Sequence, residues 1–223
     1  MISQELPKDN VILYSYYTSS AAWRVRAALN VKGIKYEYVP IDFAKEEQRS
    51  PEYENINPLK RVPALAIDGD LLVESLPIIE YLEETRPEKK LFPADPKLRQ
   101  KVRMICEVCN SDIHPYQNRM VREKIEREYK QDPKAWAVYF NVEGFKALEK
   151  IVSKTAGKYS VGDEITAADC FILPQVYGSS KKYDIELTDY PTLQKIVKNL
   201  LEIKEFSDAL PENQPDYPQK QAS

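Results

Sequence analysis

The sequence predicts a chain in two parts, a small mixed α/β domain over residues 1–86 and an all-helical domain over residues 98–211. Three observations carry this. In the first part, apolar runs and helical spacings follow the order β-α-β-(loop)-β-β-α, which makes a small mixed sheet with helices against it. Residues 86–96 hold three prolines and little periodicity, so 87–97 read as a linker. Beyond them, apolar residues recur at i, i+3 and i+4, the stripe of amphipathic helices.

Residues 11–15 form an apolar run that reads as a strand, followed by a short polar loop and a helix opening near Ala21. Residues 36–41 alternate as a strand does. Residues 42–57 are polar and charged, a long connection with about one helical turn. Two apolar runs, 62–67 and 71–73, flank Asp68-Gly69 and read as a β-hairpin. Ser75 then opens a helix with Leu76, Ile78, Ile79 and Leu82 on one face. In the second part, one helical stretch runs over 99–129, with Val102, Ile105, Cys106, Cys109 and Ile113 facing inward. A second runs over 136–151. A third starts at Thr166 with a capping box closed by Asp169, and Ile165 and Cys170 stand where a hydrophobic staple pairs them. A fourth runs over about 191–203. Residues 212–223, rich in Pro, Gln and Asn, read as a tail that wraps over the surface or frays.

Composition narrows the function classes. At 223 residues, 43% hydrophobic and 30% charged, the chain has ordinary globular composition. Its formal net charge of −3 disfavours nucleic acid or an anionic membrane as the main partner. No apolar window is long enough to span a bilayer, and residues 1–10 lack the pattern of a signal peptide. Three cysteines give no disulfide framework, and a reducing, cytoplasmic setting is expected.

Chemistry concentrates where strands meet helices. A strand-to-helix turn aims unsatisfied N–H groups and the positive end of a helix dipole at whatever lies above it. Ser19 and Ser20 add two hydroxyls there. The natural guest is an anion, and a thiolate qualifies; the plainer reading is that Ser20 only caps the helix. Glu74-Ser75 repeats the arrangement after a later strand, where Ser75 either caps the helix or holds a ligand carboxylate while Glu74 accepts from its ammonium. Pro63 at the start of a strand cannot donate to a ladder, and a cis peptide would turn Val62 toward a ligand. Together these positions suit an extended, peptide-like anion with an amino acid head and a thiol. Cys106 and Cys109 spell C-x-x-C, but they lie inside a helix on its apolar side, and no second pair stands at zinc spacing; they read as buried structural cysteines, and no metal site is expected. His114 is the only histidine and supports no triad by itself.

Six stretches carry a resemblance over essentially the whole chain: Tyr14-Ser-Tyr-x-x-Ser-Ser-x-x-Trp-Arg-Val-Arg26, Asn57-Pro-x-Lys-x-Val-Pro63, Glu74-Ser-Leu-x-Ile-Ile-Glu-Tyr-Leu-Glu-Glu-Thr-Arg-Pro87, Gln117-Asn118, Gly157-Lys-Tyr-x-Val-Gly-Asp-Glu-Ile-Thr-x-Ala-Asp169 and Asn213-Gln-Pro-Asp216. With them the chain resembles the soluble glutathione transferases, most closely the zeta class. The resemblance implies a thioredoxin-like α/β N-terminal domain joined to an all-α domain, usually as a homodimer. It implies glutathione as cofactor and a small electrophile as substrate. The implied activity is conjugation, or glutathione-dependent cis–trans isomerisation of the maleylacetoacetate type in tyrosine and phenylalanine catabolism; the alternative is a glutathione- or small-ligand-binding protein with little turnover. Ser19 matches the serine that hydrogen-bonds the glutathione sulfur, with Ser20, Ala21 and Arg24 completing the loop. Gln48, Val62 and the cis proline Pro63 match contacts to the glutathione backbone. Glu74 and Ser75 match the γ-glutamyl clamp, and Asn118 a contact from the helical domain.

The chain departs from the zeta pattern at four positions. Thr18 stands where that pattern has arginine, Ala21 where it has cysteine, and His114 where it has glutamine. Lys182 stands for a helical-domain arginine near the substrate, and lysine does not reproduce bidentate carboxylate binding. Thiol activation survives these changes on energetic grounds. Lowering a thiol pKa from about 8.5 to about 6.5 takes roughly 2.7 kcal/mol. A charge-assisted hydrogen bond gives about 1.5–3 kcal/mol and a helix N-terminus about 0.3–1 more. The departures therefore bear on the electrophile.

Overall fold

The computed structural model describes residues 10–218. Residues 1–9, on which the reading of the N-terminus rests, and 219–223 of the expected tail lie outside the described residues. The described chain divides into two units. The first holds the residues through Lys89 together with those from Lys204 onward; the second is Lys90–Ile203.

In the first unit, β1 (Ile12–Ser15), α1 (Ser20–Lys32), β2 (Glu37–Pro40), α2 (Pro51–Ile56), β3 (Ala64–Ile67), β4 (Asp70–Val73) and α3 (Ser75–Thr85) follow in order. The sheet runs β2-β1-β3-β4, with β1 parallel to β2 and antiparallel to β3. Only the parallel pair needs a crossover, and α1 supplies it. Leu13, Val25, Leu29, Leu65, Ile67, Ile78 and Leu82 form one buried cluster between the sheet and α1 and α3. Ile67 pairs with Asp70, so Asp68-Gly69 is a two-residue hairpin loop, both residues at positive φ (56° and 84°). Both angles suit a type I′ turn, the conformation that the Asp-Gly pair favours. Arg86 grips the Asp68 carboxylate with both Nη groups (2.6 and 2.7 Å), and the Tyr81 hydroxyl donates to it at 2.7 Å.

The connection over 42–57 is more ordered than its polarity suggests. It contains a 3-10 turn, Glu47–Arg49, and then α2, whose first turn is capped by Ser50 Oγ accepting the Tyr53 N–H at 3.1 Å. Tyr53 packs with Ala22, Ile41 and Val62 in a second buried cluster.

The second unit is helical: α4 (Pro96–Glu107), α5 (His114–Gln117), α6 (Arg119–Tyr129), α7 (Pro133–Val152), α8 (Ala167–Ile172), α9 (Gly178–Tyr183) and α10 (Pro191–Leu201). The stretch over 99–129, read from the sequence as one helix, is broken twice. A π-helical turn, Val108–Ile113, follows α4, and Asn118 leaves helical geometry to cap α6. A second π-helical turn, Leu173–Tyr177, joins α8 to α9. Cys106, Cys109 and Cys170 are free and buried in this core, as structural cysteines should be. The capping box at Thr166 is present, and the buried Asp169 carboxylate accepts from the N–H and hydroxyl groups of both Ser160 and Thr166. No helix among the described residues is long and apolar enough to cross a membrane.

The chain past α10 departs from the expectation that 98–211 form one domain followed by a loose tail. A short helix α11 (Lys204–Ser207) and the residues after it pack with the first unit. Asn30 on α1 donates to the Glu205 carbonyl at 3.0 Å, and Arg26 to the Ala209 carbonyl at 3.1 and 3.2 Å. Asp216 accepts from the Tyr17 N–H at 3.0 Å. Far from fraying, residues 204–217 are hydrogen-bonded to α1 and to the turn ahead of it.

Candidate functional site

The site begins where β1 ends. Residues 16–19 make a tight turn closed by the Ser19 N–H donating to the Tyr16 carbonyl at 2.9 Å. Ser19, rather than Ser20, is the N-cap of α1. Its backbone is extended, and its Oγ accepts the Ala22 N–H at 3.2 Å. A serine hydroxyl that accepts one bond still has its proton to donate. The N–H groups of Ser20 and Ala21, in the first turn, have no helical carbonyl behind them. Ser19 thus presents a donor at the positive end of a 13-residue helix, the place that favours an anion. Thr18 is exposed, while Ser20 and Ala21 are half-buried beside it.

The second helix N-terminus lies in the same unit. The peptide Val62-Pro63 is cis, and Val62 precedes Ala64, the first residue paired to β1, so its main-chain groups lie beyond the ladder. Past the hairpin, Glu74 occupies the cap position of α3 and Ser75 is the first helical residue. Ser75 is therefore not the N-cap expected of it. Glu74 has φ 69° and ψ 125°, a conformation that costs a non-glycine residue about 1–3 kcal/mol and that collects at ligand sites. Its exposed side chain makes no capping bond. The buried Ser75 hydroxyl accepts from Arg24 Nη1 at 3.2 Å, so two residues named from the sequence meet.

Gln48 lies in the 3-10 turn, only 3% exposed, and its Oε1 is a buried acceptor without a protein donor. An unsatisfied buried carbonyl costs about 1–3 kcal/mol, which a ligand N–H would recover. Tyr16 stacks on Phe43 at 4.9 Å, and burial together with Tyr17 pushes its hydroxyl up to about 12. It therefore stays protonated at neutral pH.

The other named residues belong to the second unit. His114 opens α5 after the π-helical turn. Asn118 caps α6, its Oδ1 accepting the Met120 N–H at 3.1 Å, which leaves its amide donors unspent on the cap. Lys182 is exposed along its length, yet desolvation of its ammonium and the neighbouring Arg122 charge lower it to about 8. Its Nζ lies 5.5 Å from the ring centroid of Tyr183, whose hydroxyl is a second buried atom without a protein partner. Beneath them, Gln117, Asn141, Gln175 and Ser179 exchange buried side-chain hydrogen bonds of 2.8–3.4 Å.

Arg26, Tyr38 and Asp216 escaped the sequence reading as individual residues, although two of them lie in motifs quoted above. Arg26 is fully buried, and Tyr38 Oη donates to Asp216 at 2.7 Å. The signal for Arg26 was present: an arginine on the inward face of a helix whose other inward residues are apolar.

Two family models match this chain: glutathione S-transferase N-terminal domain over residues 13–90, and glutathione S-transferase C-terminal domain over residues 111–208. The maleylacetoacetate isomerase of Mus musculus is 47% identical over 209 residues, spanning 93% of this chain and 95% of its own. Among solved structures, a bacterial maleyl pyruvate isomerase described as a zeta-class glutathione S-transferase matches with a TM-score of 0.90 at 36% identity, over 93% of this chain and 100% of that one. The maleylacetoacetate isomerase of Anaeromyxobacter dehalogenans, solved with dicarboxyethyl glutathione and citrate in its active site, matches with a TM-score of 0.85 at 37% identity, over 94% and 98% of the two chains.

Proposed function

Since the chain belongs to the glutathione S-transferase family, we propose that it binds glutathione on its first unit and works as a zeta-like enzyme. Its reactions would be glutathione-dependent cis–trans isomerisation of a maleylacetoacetate-type diacid and conjugation of small electrophiles. The observation that carries this reading is Ser19: a hydroxyl with its proton to donate, fixed at the N-cap of α1 by the Ala22 N–H.

Glutathione, when bound, supplies a thiolate that adds to a conjugated double bond and can leave again once that bond has rotated. The residues present fit it. Gln48 Oε1 is an acceptor awaiting a peptide N–H. The main-chain groups of Val62, beyond the ladder, suit an antiparallel peptide partner. Ser75, with Arg24 on its hydroxyl, and Glu74 form an acid-and-amine clamp at the N-terminus of α3. Ser19 donates its proton toward sulfur, and the end of α1 adds its field; together they reach the roughly 2.7 kcal/mol that a thiol needs to ionise near neutral pH. Asn118 and Lys182 are our candidates on the helical unit, for glutathione and for an acidic electrophile. We also take the enzyme to be a cytoplasmic homodimer, on the strength of the resemblance.

A thermal scan with millimolar glutathione tests the binding. A ligand at a hundredfold excess over its Kd adds about 2.7 kcal/mol to the native state. A melting temperature that does not rise would refute the reading. Activity is tested by assaying conjugation and maleylacetone isomerisation in parallel. Binding without turnover in either assay would favour the alternative, a glutathione-binding protein, for which Ala21 in place of a cysteine is the feature to cite.

A further inference from the structure

The motif Asn213-Gln-Pro-Asp216 has so far been given no role, and the residues it belongs to approach the turn that carries Ser19. The Asp216 carboxylate accepts from the Tyr17 N–H (Oδ2, 3.0 Å) and from the Tyr38 hydroxyl (Oδ1, 2.7 Å). Tyr217 meets the Tyr17 ring edge-on at 5.5 Å. From the other side comes Arg26, whose guanidinium has five N–H groups and makes five bonds. They go to Ser15 Oγ (3.1 Å), the carbonyls of Tyr16 (3.3 Å) and Tyr17 (3.0 Å), and twice to the carbonyl of Ala209 (3.1 and 3.2 Å). The segment is itself folded by Gln214, whose amide donates to the carbonyls of Asp208 (2.9 Å) and Leu210 (2.7 Å). Every polar main-chain group of Tyr17 is thus held by a side chain that depends on residues 209–216.

We propose that Asp216 is a positioning residue for thiol activation: with Arg26 it locks the turn 16–19 and so sets the direction in which the Ser19 hydroxyl points. The claim rests on the reading of Ser19 given above. The geometry makes it more than a stability contact, because the carbonyl of Tyr16, gripped by Arg26, is also the acceptor that closes the turn through the Ser19 N–H. Displacing the turn displaces Oγ, and hydrogen bonds weaken steeply as donor and acceptor lose alignment. The ionisable groups around the turn are Tyr16, Tyr17, Arg26, Tyr38, Asp42 and Asp216. Burial raises Tyr16 and Tyr38 and lowers Arg26 only to about 10, so none of these three titrates near neutral pH.

The experiment is a pH titration of the thiolate of enzyme-bound glutathione, followed by ultraviolet difference absorbance, on wild type, Ser19→Ala, Asp216→Ala and Asp216→Asn. In Asp216→Ala the midpoint should rise by about one pH unit, a tenfold loss of thiolate, while glutathione affinity changes less than about threefold. Asparagine can still accept from the Tyr17 N–H and donate to the Tyr38 oxygen, so Asp216→Asn should restore most of the shift. A fall in melting temperature with an unmoved midpoint would make Asp216 merely structural and overturn the proposal. Ser19→Ala separates the two claims. If it raises the midpoint and Asp216→Ala does not, positioning alone falls; if Ser19→Ala leaves the midpoint in place, both fall. Should the alanine variant of Asp216 fail to fold, Tyr38→Phe, which removes one of its two anchors, carries the same expectation at smaller size.

Discussion

Replacing Asp169 by alanine removes the acceptor from four donors at once. The Ser160 and Thr166 hydroxyls can turn elsewhere, but the two main-chain N–H groups cannot; they donate to Asp169 at 2.9 and 2.8 Å. Each buried N–H left without a partner costs about 1–3 kcal/mol. Set against this is the cost of burying the carboxylate itself, which pushes its pKa above the usual range while the Ser160 and Thr166 bonds pull it down. A net loss of about 3–4 kcal/mol follows, or roughly 6–16 °C in melting temperature for a chain of this size. Asp169→Asn keeps the shape but turns an NH2 toward two donors, so it should lose about half as much. Thr166→Ala, which leaves both main-chain bonds intact, should cost about 1 kcal/mol. The sign of the pH effect is fixed by the raised pKa. The stability Asp169 contributes is greatest below the carboxylate's unfolded value and is lost as pH rises through the folded one. Lowering the pH from neutral toward the carboxylate range should therefore widen the gap between wild type and Asp169→Asn. Far-ultraviolet circular dichroism melts measure all of this. An alanine variant within about 2 °C of wild type would refute the reasoning.

Three further outcomes are expected. Ser19→Ala should abolish most glutathione-dependent turnover with little loss of binding, and should lower stability by about 1 kcal/mol through the lost N-cap; a crippled Ser20→Ala beside a healthy Ser19→Ala would show the wrong serine has been chosen. Gln48→Met should leave the ligand-free melting temperature unchanged or higher, because it removes an unsatisfied buried oxygen, yet should weaken glutathione binding several-fold by titration calorimetry, about 1 kcal/mol. Thr18→Arg with Ala21→Cys should raise maleylacetone isomerisation at least tenfold, about 1.4 kcal/mol of barrier; wild type that already isomerises faster than it conjugates, with an inert double variant, would make both departures cosmetic.

What could be read from the sequence was whatever a local pattern specifies. The alternation that predicts β1, the Asp68-Gly69 turn and the Thr166–Asp169 box are decided by neighbours within a few residues, and each stands as expected. The π-helical turns were hidden because one extra residue per turn barely disturbs the apolar stripe of Val102, Ile105, Cys106 and Cys109. Ser50-Pro51 did announce α2, as an N-cap followed by proline at the first helical position, but the polarity of the segment masked it. The capping errors at Ser20 and Ser75 were each one residue long, the scale on which backbone dihedrals and not residue types decide. Asp216 lies 199 residues from Tyr17, and no window along the chain connects them.

That distance also sets a clock during synthesis. The turn carrying Ser19 is made almost at once, but Ala209 comes 183 residues after Arg26. At about 5–20 residues per second, Arg26 waits roughly 10–40 s on the ribosome for the carbonyl that takes two of its five protons. Until then a guanidinium destined for complete burial must stay hydrated, and the apolar groove along α1 that receives α11 and the residues beyond it stays open to chaperones or to neighbouring nascent chains. A message truncated shortly before codon 209 would still encode every residue proposed to touch glutathione, and its product would be sticky and slack where the full chain is closed.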